Sequence, residues 1–245
     1  MNYRKSLLCG GRFIGAGVVC GMVFGSAALA APPFAEHARS GKSLVVPAEH
    51  ASKGTVYYAL PGRDRQVYFE SDAPLEKIKG QSNQVLGYAV AGPDGDPARL
   101  AAGEWHLPVA SMRTGIAMRD EHLAGKDWLN AAEFPNIVFQ VTSVKNVKVL
   151  KISEASQTYT VTLVGDMTIH GVTQKMTIPN TTIAFIKGTD RTVKVAKGDL
   201  MAIRVKYDVT LKDFGVSHSV IGDKVAQTVQ IDTVLYTSTV PPEKQ

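Results

Sequence analysis

The sequence predicts an all-β protein: an antiparallel barrel of about eight strands with a short helical insert around residues 115–132. Three observations predict it. Several β-prone stretches reach ten residues or more, the clearest of them alternating apolar and polar side chains. No strand–helix–strand rhythm occurs, and only one internal stretch has helical spacing. Long strands need closure or cover, because open edges invite aggregation. An eight-stranded closed barrel leaves an interior for side chains or one small ligand. A two-sheet sandwich fits the same alternation.

Residues 1–30 have the three-part layout of a secretory signal peptide. Arg4, Lys5 and Arg12 come first, Phe13 to Leu29 carry no charge, and Ala28-Leu29-Ala30 offers small residues for cleavage near Ala30, just before Pro32 and Pro33. A membrane-spanning helix needs roughly 20 strongly apolar residues, and this Gly- and Ala-rich run barely reaches that. The expectation is a periplasmic or secreted protein. Residues 31–53 lack periodicity and read as a flexible leader, and residues 54–240 as the barrel domain. Val56-Tyr57-Tyr58, Gln66-Val67-Tyr68-Phe69 and Val85 to Val90 are short β-prone runs, and Gly92 to Pro97 is a dense turn signal. Glu104 to Val109 alternates, with Trp105, Leu107 and Val109 on one face and Pro108 expected at an edge, a bulge or a strand end.

The insert follows. Ile116, Met118, Leu123, Trp128 and Leu129 have helical spacing, Gly125 is expected to divide the stretch into two short helices, and Pro135 ends it. Strand texture then returns over 137–142, 158–169, 172–186, 199–211 and 225–237. In the fourth of these, Ile203, Val205, Tyr207, Val209 and Leu211 face one way and Arg204, Lys206 and Asp208 the other, as in a half-buried antiparallel strand.

Composition excludes several function classes. Both cysteines, Cys9 and Cys20, fall in the signal segment, so the mature chain is expected to have no disulfide, thiolate nucleophile or thiolate-bound metal. The three leading cations belong to the 27 basic residues that face 22 acidic ones, so without residues 1–30 the balance falls to about +2. A nearly neutral surface argues against nucleic acid as a partner. No two of the six histidines stand at i, i+2 or i, i+4, the spacing of a metal pair, and no cofactor signature occurs. Ser217-His218-Ser219 lacks the strand-to-helix elbow of a nucleophile and reads as a loop. Asp120 and His122 suggest a carboxylate orienting an imidazole, but residues two apart on a helix point to different sides. Lys145, Lys148 and Lys151 read as a solvated strand face. The expectation is no enzyme, no cofactor and no metal.

Three ordered motifs resemble a known family. The first runs from Leu107-Pro108-Val109-Ala110-Ser111-Met112-Arg113-Thr114-Gly115 through Arg119-Asp120-Glu121-His122-Leu123 and Asp127-Trp128-Leu129-Asn130 to Phe134-Pro135-Asn136-Ile137-Val138-Phe139. The second is Gly165-Asp166-Met167-Thr168-Ile169-His170-Gly171-Val172-Thr173, and the third Lys212-Asp213-Phe214-Gly215-Val216. Together they cover roughly residues 104–236 and are similar to the signatures of the YceI-like polyisoprenoid-binding family. The resemblance implies an extended, lipocalin-like barrel, exported by a bacterium, that holds an isoprenoid or fatty amphiphile in its lumen. It leaves room for transient membrane contact and for a homodimer. Under it, Arg113, Arg119, His122 and His170 become candidate head-group contacts, and Trp105, Phe139, Met167 and Phe214 candidate lumen residues. The rival expectation is a non-catalytic interaction or stress-response module with a filled barrel.

Overall fold

The computed structural model describes residues 43–62, 66–92 and 98–245. The expected signal peptide and most of the expected leader lie outside the described residues. So does most of the turn at 92–97.

The described chain is one closed antiparallel sheet. Its strands are β1 Val56–Ala59, β2 Val67–Asp72, β3 Lys77–Ser82, β4 Leu86–Val90, β5 Ala102–Pro108, β6 Asn136–Ile152, β7 Ser156–Ile169, β8 Val172–Ile186, β9 Leu200–Thr210 and β10 Thr228–Ser238. From β4 to β10 each strand pairs with its neighbour in space through β5, β6, β7, β8 and β9. The ring closes twice over. β1 pairs β10 at Tyr58↔Ser238 and β4 at Tyr57↔Ala89, while β2 pairs β10 at Ile231↔Phe69 and β3 at Phe69↔Gly80. β1 and β2 are therefore two halves of one wall position, and β3 and β4 two halves of the next. Ten hydrogen-bonded segments fill eight positions, which is the expected barrel.

Both divided positions break at the same level, between Leu60 and Val85. The buried Gln66 amide closes that gap: its Nε2 donates to the Leu60 carbonyl (3.0 Å) and its Oε1 accepts from the Val85 amide (2.8 Å). β3, with the sequence KIKGQS, was not legible as a strand. Its lysines are exposed and its strand character comes from pairing with β2, where the Phe69 ring lies over Gly80.

The alternation read in 203–211 holds: Ile203, Val205 and Val209 are buried, and Arg204, Lys206 and Asp208 exposed. Pro108 ends β5, where its missing donor costs no ladder bond. Lys145, Lys148 and Lys151 are exposed on β6. The insert differs from expectation. It forms one helix, Ala117–Ala124, and the chain after Gly125 turns through Lys126 to Leu129 rather than entering a second helix. The amides of Leu129, Asn130 and Ala131 donate to the carbonyls of Leu123, Gly125 and Ala124, folding the stretch back on the helix end.

Residues 43–53, read from sequence as part of a flexible leader, pack on the outside of β4 and β5. Leu44 is buried with Leu86, Tyr88 and Val90, and His50 Nδ1 meets the Tyr88 hydroxyl at 2.7 Å. This cover explains why every residue of β4 is buried although only alternate ones face the barrel interior.

Candidate functional site

The interior holds two apolar chambers that meet at a neck. The outer one, about 300 Å³, opens at the end where β5 leaves the barrel and β6 enters it. The inner one, about 80 Å³, lies deeper. Val67, Leu107, Ile137, Met167 and Tyr207 line both and form the neck. They share the inward face of five strands by register: Leu107 stands opposite Ile137, and Trp105 and Met167 both stand opposite Phe139. Past the inner chamber the bore is filled. Phe185 meets Tyr57 edge to face at 5.7 Å and Tyr159 at 6.4 Å.

Missing side chains keep the inner bore open. A Cβ at Gly165 would stand 2.5 Å from Phe139 Cζ, and one at Gly87 2.8 Å from Trp105 Cδ1. Without them the two rings lie flat against the wall, stacked on each other at 6.2 Å and 17°.

Three segments arch over the mouth. One is the β2–β3 turn, the second runs from Val109 to Pro135 with the Ala117–Ala124 helix, and the third spans residues 215–227. They are tied together: Arg119 pairs with Glu76 (2.6 Å), the Leu75 amide donates to the Asp223 carbonyl (2.9 Å), and the Trp128 and His218 rings stack at 4.8 Å. Asp120 accepts from both the amide and the hydroxyl of Thr114, each at 2.6 Å. Burial works against its ionised form, but the two Thr114 donors, with Arg113 and Arg119 nearby, outweigh it and hold the carboxyl below its ordinary range. Asp120 thus fastens the loop to the helix; it is not bonded to His122.

The structure brings some sequence candidates together and not others. Trp105 and Phe139 line the inner chamber and Met167 the neck. Arg119 and His122 stand at the mouth. Arg113 is beside the mouth, but its guanidinium donates to the carbonyls of Ala110 (2.7 Å) and Met112 (2.8 Å) and so holds the loop. His170 sits outside the lining. Ile169 pairs with Val172, so His170 and Gly171 form a two-residue hairpin turn at φ 52° and 75°. The His170 ring packs on Phe134. Phe214 is buried in the core beneath the third arch without lining either chamber. Sequence reasoning missed Val67, Lys224, Thr233 and Glu76 at the lumen or mouth. The alternation of β9 pointed Tyr207 inward, but its role at the neck needed the register.

Chemistry outside the lumen is sparse. Glu104 and His106 bond at 2.6 Å on the face of β5 opposite Trp105 and Leu107, and that hydrogen bond draws the Glu104 carboxyl below its ordinary value against the opposing effect of burial. Among the described residues no three His, Cys, Asp or Glu side chains gather as a metal site, and no helix is long and apolar enough to cross a membrane.

Comparison with known proteins agrees with this architecture. The UPF0312 protein of Pseudomonas fluorescens strain SBW25 is 34% identical over 129 residues, which is 53% of this chain and 58% of that protein. The UPF0312 protein of Pseudomonas savastanoi pv. phaseolicola is 40% identical over 75 residues, 31% of this chain and 34% of that one. The chain thus spans between about a third and somewhat over half of the length of these relatives. Among solved structures, a polyisoprenoid binding domain from Saccharophagus degradans superposes with a TM-score of 0.51 at 11% identity, covering 76% of this chain and 99% of that one. BcnA from Burkholderia cenocepacia gives 0.49 at 19% identity, covering 69% and 94%. The first of these shows a shared fold. A family model of the YceI-like domain matches residues 58–236, so the match reaches back past the three motifs to the first strands of the barrel wall, and the chain belongs to the YceI-like family.

Proposed function

We propose that this protein is an exported, non-catalytic carrier that holds one long-chain amphiphile, an isoprenoid or a fatty molecule, inside its barrel. The observation that carries this reading is the lumen itself: two apolar chambers in series, closed by aromatic rings at one end and opening beneath a charged arch at the other. A long hydrocarbon chain is poorly soluble, and each buried methylene contributes about 0.8 kcal/mol. An apolar bore with polar groups at its mouth meets that need without reactive groups. The polyisoprenoid binding domain of Saccharophagus degradans shares the fold and supports the ligand class. The charge-free run and small-residue site of residues 1–30 support export. A periplasmic carrier meets membrane lipid at its mouth, where Lys224 and Arg119 offer cations to an anionic head.

Native mass spectrometry of protein purified from the envelope of its own cells tests the reading. The expected result is a mature chain beginning after Ala30 with one amphiphile bound. An uncleaved chain in the cytoplasmic fraction overturns export, and a ligand-free chain that takes up no added amphiphile overturns carriage.

One observation favours a second reading as an interaction module. β6 runs past the end of β5, and there Val149, Leu150 and Ile152 are exposed. Crosslinking in the envelope separates the two: a protein partner captured at this edge, with the lumen empty, favours the module.

A further inference from the structure

We propose that the inner chamber is a hydrogen-bonding subsite for an uncharged oxygen of the ligand, a hydroxyl or a carbonyl, met by the Trp105 indole N–H and the Thr233 hydroxyl, with the apolar chain running outward to the mouth. This rests on the reading of the lumen as a lipid tunnel and names which end of the lipid lies deepest.

The starting point is a pair of unsatisfied atoms. Trp105 Nε1 is buried without a hydrogen-bond partner, and Thr233 Oγ1 is buried with no partner at full hydrogen-bond geometry, its polar neighbour being the Tyr207 phenol; both residues line the inner chamber and are only 7% exposed. Buried polar groups in folded proteins nearly always have a partner, and leaving one without is costly. Two such atoms around a space of about 80 Å³, in a wall otherwise apolar save for Tyr207, point to a partner that enters from the lumen. Tyr207 is a polar neighbour of Thr233. Burial pushes its phenol up to about 12, with the Thr233 hydroxyl acting in the opposite sense, yet this approach leaves Thr233 Oγ1 without a well-formed hydrogen bond.

The chemistry of the three groups defines the occupant. An indole N–H only donates, so the ligand must accept; the hydroxyls of Thr233 and Tyr207 do either. No Lys, Arg, His, Asp or Glu lines the inner chamber, and Tyr207 stays neutral. A phosphate or carboxylate placed there would be buried without a counter-ion, which is strongly disfavoured. Cations stand only at the mouth, in Arg119 and Lys224. Size agrees. At ~30 Å³ for a group the size of a water or methylene, the inner chamber takes two or three such groups. The outer chamber, about 300 Å³, takes roughly ten more. An alcohol or ketone function on a chain of about a dozen carbons fills both.

The test uses the full chain, delipidated, and displacement of a fluorescent fatty probe by 1-dodecanol, 2-dodecanone, dodecane and dodecanoate. The expected result is that the alcohol and the ketone bind roughly tenfold or more tighter than dodecane, and that dodecanoate gains no such advantage. Thr233→Val removes the hydroxyl and keeps the shape, whereas Trp105→Phe removes the indole N–H together with one of the two fused rings and so widens the chamber. Each is expected to bring dodecanol to within a few-fold of dodecane, so that the ratio of the two affinities, and not the affinity for dodecane alone, is what is read. Thr233→Val is also expected to cost little thermal stability in the empty protein, because it removes a group whose one polar neighbour, Tyr207, it does not meet at full hydrogen-bond geometry. Should Trp105→Phe fail to fold, Thr233→Val carries the comparison alone. Equal binding of dodecanol and dodecane by the native chain, or an unchanged ratio in the variants, overturns the subsite and leaves a buried water as the partner of Trp105 and Thr233. Failure of all four probes to bind overturns the tunnel reading along with it.

Discussion

Along the lumen, Phe69 in the outer chamber and Trp105 and Phe139 in the inner one each face a position without a side chain, Gly80, Gly87 and Gly165 respectively, and their rings lie flat on the wall. At the far end, Phe185 meets Tyr57 and Tyr159 edge to face across the bore. The strands are of one kind throughout, antiparallel and alternating. Whether the barrel is hollow or full is decided by what stands next to each aromatic residue. A ring beside a glycine becomes wall; a ring beside other rings becomes plug.

That contrast is open to direct attack. Phe185→Ala takes the central ring out of the plug and is expected to destabilise the fold by about 3–5 kcal/mol, read as a lower urea midpoint. The same change is expected to join the lumen to the polar cleft near Asp199 and Glu154, which Tyr57 and Phe185 now close. Unchanged stability would mean the plug is not packed as a core. Gly165→Ala acts on the other side of the comparison. Its Cβ meets both the Phe139 ring and the Gln140 carbonyl, and the backbone atom cannot rotate away. The expected cost is about 1–3 kcal/mol, with the Phe139 ring driven into the inner chamber and uptake of a fatty probe reduced; a variant that binds as well as the native chain shows that the ring has another place to go. The smallest effect is expected from acid at the mouth. Asp120 has its carboxyl held below the ordinary 3.8, so its contribution is present above that value and lost as pH falls through the lowered one. The protection of the amides of residues 112–118, taken relative to an unfolded chain at the same pH, is expected to fall at that pH while the plug residues stay protected, and Asp120→Asn to give the lower protection already at neutral pH. Equal loosening of both ends on acidification would show that the arch is not a separate unit.

Much of this was legible from the amino-acid order. The alternation of Ile203 to Val209 announced a half-buried strand, and Val172 to Ile186 was bounded to the residue. The three motifs marked the family. Their residues are mainly those that shape the backbone: Gly165 beneath Phe139, His170 and Gly171 at a hairpin turn, Asp120 bound to Thr114, Gly215 at φ 71° after Phe214. His170, Arg113 and Phe214, candidate ligand contacts from the sequence, take part in a turn, a loop support and the core respectively. The lumen itself was less legible. Thr233 sits in a strand where a threonine is ordinary, and only the pairing of Thr233 with Val205 and Val67 turns its hydroxyl into a polar point inside an apolar bore. β3 was illegible because its strand character is borrowed from β2. The packing of Leu44 against Tyr88 joins residues far apart in the chain, which no local pattern reports.

The doubled wall position has a consequence for how the protein comes into being. β1 and β2 find their partner in β10, so residues 56–72 close the ring only with residues 228–238. A chain emerging with its N-terminus first must carry those opening strands, one edge unmatched, until its last strand has been released. Contacts so distant in sequence are slow to form, and the interval leaves apolar strands open to other chains. Ring closure is thus a final event in the maturation of this molecule, and its timing belongs to the C-terminal strand.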